Sequence, residues 1–174
     1  MDLLTADNQP IIACSTGEIG NSAIGIIRLS GFSSIEDILP ALNINELKPR
    51  YASYCKIIQN QTTLDSIVAT YFKAPNTYNG ENILELSVHG NQLNIQKILE
   101  YFKDSFGFRS ALPGEFSYRA YKNQKLNLSQ VEGLDVFLGS NSNFALEQGF
   151  SLLDGELQKN YNELAEVFKR HHQY

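Results

Sequence analysis

The sequence predicts an α+β fold, with a mixed or antiparallel sheet and flanking helices, followed by the start of an α-helical domain. Three observations carry this. Apolar and polar residues alternate in runs between Ile11 and His89, the period of half-buried strands. A helical run, Gln92 to Phe106, follows the last of them. From about Leu126 onward only helical periodicity remains, so residues 1–125 read as one domain and residues 126–174 as a partial helical domain.

Ile11 to Cys14 reads as a short strand that enters a small-residue loop, Ser15 to Ser22. Ala23 to Ser30 is a second strand: Ile24, Ile26, Arg28 and Ser30 share one face, and Gly25, Ile27 and Leu29 the other. Arg28 thus stands in line with isoleucines expected to be buried, where a cation needs an anionic partner. Ser33 or Ser34 caps a short helix through about Leu42, which Pro40 ends or bends. Arg50 to Gln59 and Leu64 to Lys73 are β-like, joined by a hairpin loop at Asn60 to Thr63. Ala74 to Gly80 is a loop of turn formers.

Asn82 to His89 is the most informative strand. Leu84, Leu86 and Val88 form an apolar face, while Glu85, Ser87 and His89 point the other way. That pattern fits either a strand lining a cleft or a sheet with one solvated face. The helix from Gln92 to Phe106 buries Leu93, Ile95, Ile98, Leu99 and Phe102 and stops at Gly107. A Pro-Gly turn at Pro113 to Phe116 follows, then a capping box at Ser129 and Glu132 that opens the next helix. Ser142 to Arg170 reads as one long helix whose seam (Leu146, Phe150, Leu153, Leu157, Tyr161, Leu164, Phe168) requires a partner helix.

Composition narrows the function classes. The chain has 174 residues, 43% hydrophobic and 19% charged, enough for an ordinary core. Its 14 Lys+Arg against 19 Asp+Glu give a net charge of -5, which opposes a strong sequence-independent grip on a phosphate backbone. Any RNA contact is therefore local or shared with a partner. Cys14 and Cys55 read as reduced thiols filling core space in a cytoplasmic protein. No signal peptide, membrane span or zinc spacing is visible. GxxxxGK[ST], GxSxG and HExxH are absent from these residues, which removes the usual hydrolase and kinase signatures.

What remains is a set of charged residues in apolar or turn settings: Arg28, Glu85, His89, Arg109, Glu115, Arg119 and Lys125. Arg28 and Glu85 fit either a buried ion pair between strands or a ligand site. Arg119 and Lys122 fit an ordinary solvated helix face. His89, beside Gly90, reads more readily as a strand-end hydrogen-bonding residue than as a base.

Four segments together resemble the N-terminal region of the MnmE (TrmE) family of tRNA-modifying GTPases. They are IGIIRLSG (24–31), APNTYNGENILELSVHG (74–90), RSALPGEFSYRAYKNQKLNLSQVEG (109–133) and ALEQGFSLLDGEL (145–157). The resemblance implies an α+β tetrahydrofolate-binding domain related to the glycine-cleavage T-protein, homodimeric, with a helical domain after it. It implies Arg28, Glu85 and Lys125 as contacts to 5-formyl- or 5,10-methylene-tetrahydrofolate. It also implies tRNA and an FAD-dependent MnmG-like protein as partners of the full-length protein, a GTP hydrolase, which modifies a wobble uridine with a folate-borne one-carbon unit. No GTP, magnesium or potassium site is expected in these residues, and catalysis by them alone is not expected. The alternative is a non-catalytic dimerisation or interaction module that has lost folate.

Several positions depart from the family pattern. The early loop, usually ATPPGxGG, is Cys14 to Ser22 with Glu18 and no proline. Gly-Gly after His89 becomes Gly90-Asn91, the acid of NGKxDL becomes Asn127, and AEAxADLI becomes VEGLDVFL with Gly133 and Asp135. The family's GTPase domain has no counterpart here, as in a cut piece or a short relative.

Overall fold

The computed structural model describes residues 9–16, 22–155 and 159. Six strands are present among them: β1 Ile11–Cys14, β2 Ile24–Ser30, β3 Ala52–Gln59, β4 Thr62–Phe72, β5 Ile83–His89 and β6 Arg109–Ser110. Four α-helices follow or interleave: α1 Gln92–Phe106, α2 Glu115–Lys122, α3 Leu128–Gly139 and α4 Asn143–Leu153. The sheet order is β3-β4-β5-β2-β1-β6, antiparallel throughout except for the short β1/β6 pair. This is the mixed α+β architecture the alternation predicts. Two compact units divide between Phe116 and Ser117.

In the first unit, the inward rows of the strands build the core. Ile27, Leu29, Ile67, Ala69, Leu84, Leu86 and Val88 are buried against Ile98 and Phe102 of α1 and the apolar segment Phe32 to Leu47. Only one sheet face is covered in this way. Apart from Ser30 and Ile83, which are buried, the opposite rows of β2, β4 and β5 are half-buried or exposed, with Ile24 at 61% and Val68 at 38% exposure. Arg28 therefore does not lie among buried isoleucines: Ile24 and Ile26 share its face, but that face is the open one. The alternation assigns the rows correctly and leaves open which row faces the core, because both carry isoleucine.

Several boundaries shift for local reasons. The segment before Leu42 is not a capped α-helix. It consists of turns followed by one 3-10 turn, Leu39–Leu42, with Pro40 in its first positions, where a missing N–H costs nothing. Ser34 still acts locally: its hydroxyl donates to the Glu36 carboxylate and, with the Glu36 backbone N–H, holds that carboxyl below its usual range. Leu93 is exposed, although Ile98 and Phe102 of the same helix are buried.

The β3–β4 connection is tighter than expected, a two-residue turn at Asn60 and Gln61 with φ of 48° and 64°. Such a turn needs φ > 0 at both central positions, which matches strand twist and favours Asn-Gly. Gln61→Gly is expected to raise stability by about 0.5–1 kcal/mol, measured as a higher urea midpoint with an unchanged m value.

Cys55 is buried and Cys14 half-buried, and neither is in a disulfide. Cys14 therefore only partly fills core space; its Sγ lies 3.5 Å from Thr16 Oγ1. Burial pushes the Cys55 thiol up to about 11. Because the folded pKa exceeds the unfolded one, the neutral thiol's contribution is complete below the unfolded pKa and is lost as pH rises through about 11. Cys55 is expected to resist iodoacetamide at pH 8 in the native protein and to react on unfolding in urea, read by mass spectrometry.

In the second unit, α3 and α4 form a close helix pair. A Cβ at Gly133 would lie 2.6 Å from Leu152 Cβ and 2.9 Å from the Gly149 carbonyl, and one at Gly149 would lie 2.6 Å from the Phe137 backbone nitrogen. The two backbones approach so closely that neither position has room for a side chain. The contact runs along Gly149 and Leu152, while Leu146 and Phe150 at the start of the expected seam stay 41% and 57% exposed, so α3 does not bury them. The cap of α3 is not Ser129 but Asn127, whose side chain accepts from Gln130 N at 2.9 Å while Gln130 returns to Asn127 N at 3.0 Å. Asn outranks Ser too little to decide by propensity, and the reciprocal Gln sits three residues after Asn127. The long helix expected from Ser142 ends at Leu153, followed by Gly155 at φ 80°. Leu157, Tyr161, Leu164 and Phe168 of the expected seam lie outside the described residues, as do Gly17, Glu18 and Gly20 of the early loop.

Candidate functional site

The ladder between β2 and β5 sets Arg28 directly opposite Glu85. Arg28 Nε donates to Glu85 Oε1 at 2.9 Å and Nη2 donates to the same oxygen at 2.7 Å. The side chains are 28% and 27% exposed, so the pair is not sealed in the interior. Glu85 Oε2 receives no hydrogen bond among the described residues. Two rings flank the guanidinium: Tyr78 with its centroid 5.9 Å away and Phe116 at 5.6 Å. The ion pair that the sequence left open beside a ligand site is thus present, but it is half-buried rather than buried.

A cleft of about 410 Å³ opens at this pair, with Arg50, Phe72, Tyr78 and Ile83 on its other walls. The segment Thr77 to Asn82 is held by a polar network. Asn79, fully buried, donates to Ser30 Oγ at 2.8 Å and to Glu81 Oε2 at 3.1 Å, and Ser30 donates to Glu81 at 2.8 Å. Thr77 Oγ1 donates to the Glu81 carbonyl at 2.7 Å. Asn82 accepts from Tyr71 Oη at 2.9 Å and from Ala74 N at 3.0 Å, and donates to the Phe32 and Ser33 carbonyls. Satisfied buried amides and carboxylates of this kind fix a loop in one conformation. The loop is thereby a rigid mount for Tyr78. Sequence reading took this segment only as turn formers, and the signal available was an aromatic between turn residues, Thr77-Tyr78-Asn79.

Phe116 reaches Arg28 because the turn before it is anchored from within. Glu115, 1% exposed, takes Arg109 Nη1 at 2.8 Å and Nη2 at 2.6 Å, one on each carboxylate oxygen. Leu112 N adds a third donor at 2.8 Å. The Pro113 to Phe116 turn is thus set by an ion pair that spans it. Arg109 and Glu115, both singled out as charged residues in turn settings, serve structure.

His89 stands at the exposed end of β5, its Nδ1 2.6 Å from Asp65 Oδ1. Asp65 is buried and also accepts from His89 N at 2.9 Å and Asn94 Nδ2 at 2.8 Å. That is the strand-end hydrogen-bonding role expected of His89; Asp65 was not foreseen. No three His, Cys, Asp or Glu side chains cluster as metal ligands among the described residues.

Lys125 belongs to the second unit, at the turn after α2. Its N–H donates to the Ala120 carbonyl at 2.8 Å, and Gln124 before it has φ 57°. The side chain is exposed and borders a cleft of about 560 Å³ with Tyr121, Lys122, Gln124, Asn127 and Gln130. A further cleft of about 560 Å³, lined by Ser33, Glu36, Lys73 and Asn82 among others, includes none of the three residues expected to bind ligand.

Comparison with known proteins places these features in a family. The family model described as GTP-binding protein TrmE N-terminus matches residues 10–125. A tRNA modification GTPase MnmE from Francisella tularensis subsp. holarctica is 36% identical over 156 residues, 90% of this chain and 34% of the relative. The protein of the same description from Aquifex aeolicus is 38% identical over 161 residues, 91% of this chain and 36% of the relative. The chain spans about a third of the length of these curated relatives. No helix among the described residues is long and apolar enough to cross a membrane. With the model covering the whole sheet, the Arg28–Glu85 pair and the turn to Lys125, the chain belongs to the TrmE N-terminus family.

Proposed function

We propose that this chain is the folate-binding and homodimerising module of a cytoplasmic tRNA-modification GTPase. Residues 1–125 form the folate domain, and residues 126–174 begin the helical domain. Its ligand is a 5-formyl- or 5,10-methylene-tetrahydrofolate, and Arg28, Glu85 and Lys125 hold it. tRNA and an MnmG-like flavoprotein are partners of the whole protein.

The observation that carries this reading is the state of Glu85. Its Oε1 is taken twice by Arg28, Oε2 receives no hydrogen bond among the described residues, and Glu85 lines the cleft. A pterin presents an N–H and an amino group on one edge, a donor pair that an ionised carboxylate accepts strongly. Arg28 holds that carboxylate in place through its two hydrogen bonds to Oε1. Tyr78 and Phe116 add apolar ring surface where a flat heterocycle seats. When bound, the folate supplies the one-carbon unit, and the residues here bind and orient it. The open sheet face, with Ile24, Tyr54 and Val68 exposed, supports a second copy of the chain as partner.

Titration with 5-formyl-tetrahydrofolate, followed by calorimetry, tests the folate reading, and sedimentation tests the dimer. Saturable binding of one folate per chain is expected. A folded dimer that takes up no folate would instead mark an interaction module, the outcome that the altered Cys14 to Ser22 loop favours.

A further inference from the structure

We infer that Arg50 recognises the anionic tail of the ligand, giving the cleft a head end at Glu85 and a tail end at Arg50. This rests on the folate reading above. Three charged side chains line the cleft: Arg28, Glu85 and Arg50. Glu85 neutralises Arg28. Arg50 has no carboxylate partner among the described residues, so the cleft retains one positive charge. An anionic group of the ligand is the complement it lacks.

Arg50 is also held ready. Its φ is 61°, its N–H donates to the Tyr71 carbonyl at 2.7 Å, and its guanidinium lies over Phe72, 5.6 Å from the ring centroid. Nη2 donates to the Asn76 carbonyl. A guanidinium carries five N–H donors, so most remain for a carboxylate. A side chain stacked and tethered in this way loses little freedom on binding.

The ladder gives the distance. Glu85 on β5 pairs with Thr70 on β4, and Thr70 with Ala52 on β3; Arg50 lies two residues before Ala52, the first residue of β3. The two backbone positions are therefore two strand spacings apart across the sheet and two residues apart along it, roughly 12 Å. A ligand satisfying both must extend beyond its heterocyclic head, as a pteroyl-glutamate does. Sequence reading treated Arg50 only as the first residue of a strand.

The test is calorimetry of wild type, Arg50→Ala and Arg50→Lys with 5-formyl-tetrahydrofolate and with its dimethyl ester, which keeps the tail's size and removes its charge. Wild type is expected to prefer the diacid by about tenfold to a hundredfold, Arg50→Lys to keep part of that preference, and Arg50→Ala to lose it while binding the diester as wild type does. Equal wild-type affinity for diacid and diester overturns the tail assignment and leaves the folate reading standing. So does an Arg50→Ala variant that loses both ligands equally, since Arg50 would then shape the cleft as a whole. Wild type binding neither ligand removes both readings.

Discussion

Glu85→Ala is expected to abolish formyl-folate binding, a loss of about a hundredfold or more, while the domain stays folded. Truncating one member of a hydrogen-bonded charge pair at a binding site costs about 2–5 kcal/mol in affinity. Here it removes both the acceptor for the ligand's donor edge and the anion that orients Arg28. The fold is expected to tolerate the change because the pair is more than a quarter exposed on each side. Ion pairs with such access to water contribute only about 0–1 kcal/mol. Circular dichroism and a thermal melt establish that the variant is folded, and calorimetry reads the binding. Unchanged affinity would return Glu85 to a purely structural role. Glu85→Gln separates charge from shape: it keeps the acceptor but loses the ionic hydrogen bonds, so an intermediate loss is expected.

Glu115→Ala is expected to have the opposite profile, a large loss of stability. Glu115 is 1% exposed and accepts from Arg109 Nη1, Arg109 Nη2 and Leu112 N. Its removal takes away the carboxylate that both Nη atoms of Arg109, 15% exposed, donate to. Breaking a buried pair in this way costs about 3–5 kcal/mol, against a total stability of about 5–15 kcal/mol for a domain. The melting temperature is expected to fall by about 10 °C or more. Replacing both partners with apolar residues, Arg109→Met with Glu115→Leu, is expected to recover much of the loss. A single variant that melts like wild type would show that the turn is held by something other than this pair.

These two carboxylates look alike in the sequence, and the contrast shows how much of the site was legible there. Alternation in β2 and β5 puts Arg28 and Glu85 on like faces, and antiparallel pairing sets them opposite each other. What periodicity does not give is depth. A row of isoleucines beside Arg28 reads as buried, yet burial depends on what covers the sheet, and α1 and the Phe32 to Leu47 segment cover only the other face. Tyr78, Phe116 and Arg50 were not legible as site residues because loops and turns deliver them. Their placement follows from long-range hydrogen bonds such as Asn79 to Ser30, which leave no periodic trace.

The departures from the family pattern read differently once packing is known. Asn91, where the family has glycine, caps α1 by accepting from Leu93 N at 3.0 Å and Asn94 N at 3.2 Å. Asn127, where the family has an acid, caps α3. Gly133 meets Gly149 across the helix pair at a distance that excludes a Cβ. Asn91 is not among the residues that line the Arg28–Glu85 cleft. Asn91 and Asn127 answer to the unpaired N–H groups of their own helices, and only Gly133 answers to the facing helix.

The most direct test of the central claim is a crystal structure of the protein grown with saturating 5-formyl-tetrahydrofolate. The account predicts the pterin edge within about 2.6–3.1 Å of Glu85 Oε2, with Arg28 still on Oε1. A folate bound elsewhere, with the Arg28–Glu85 pair unengaged, would contradict it.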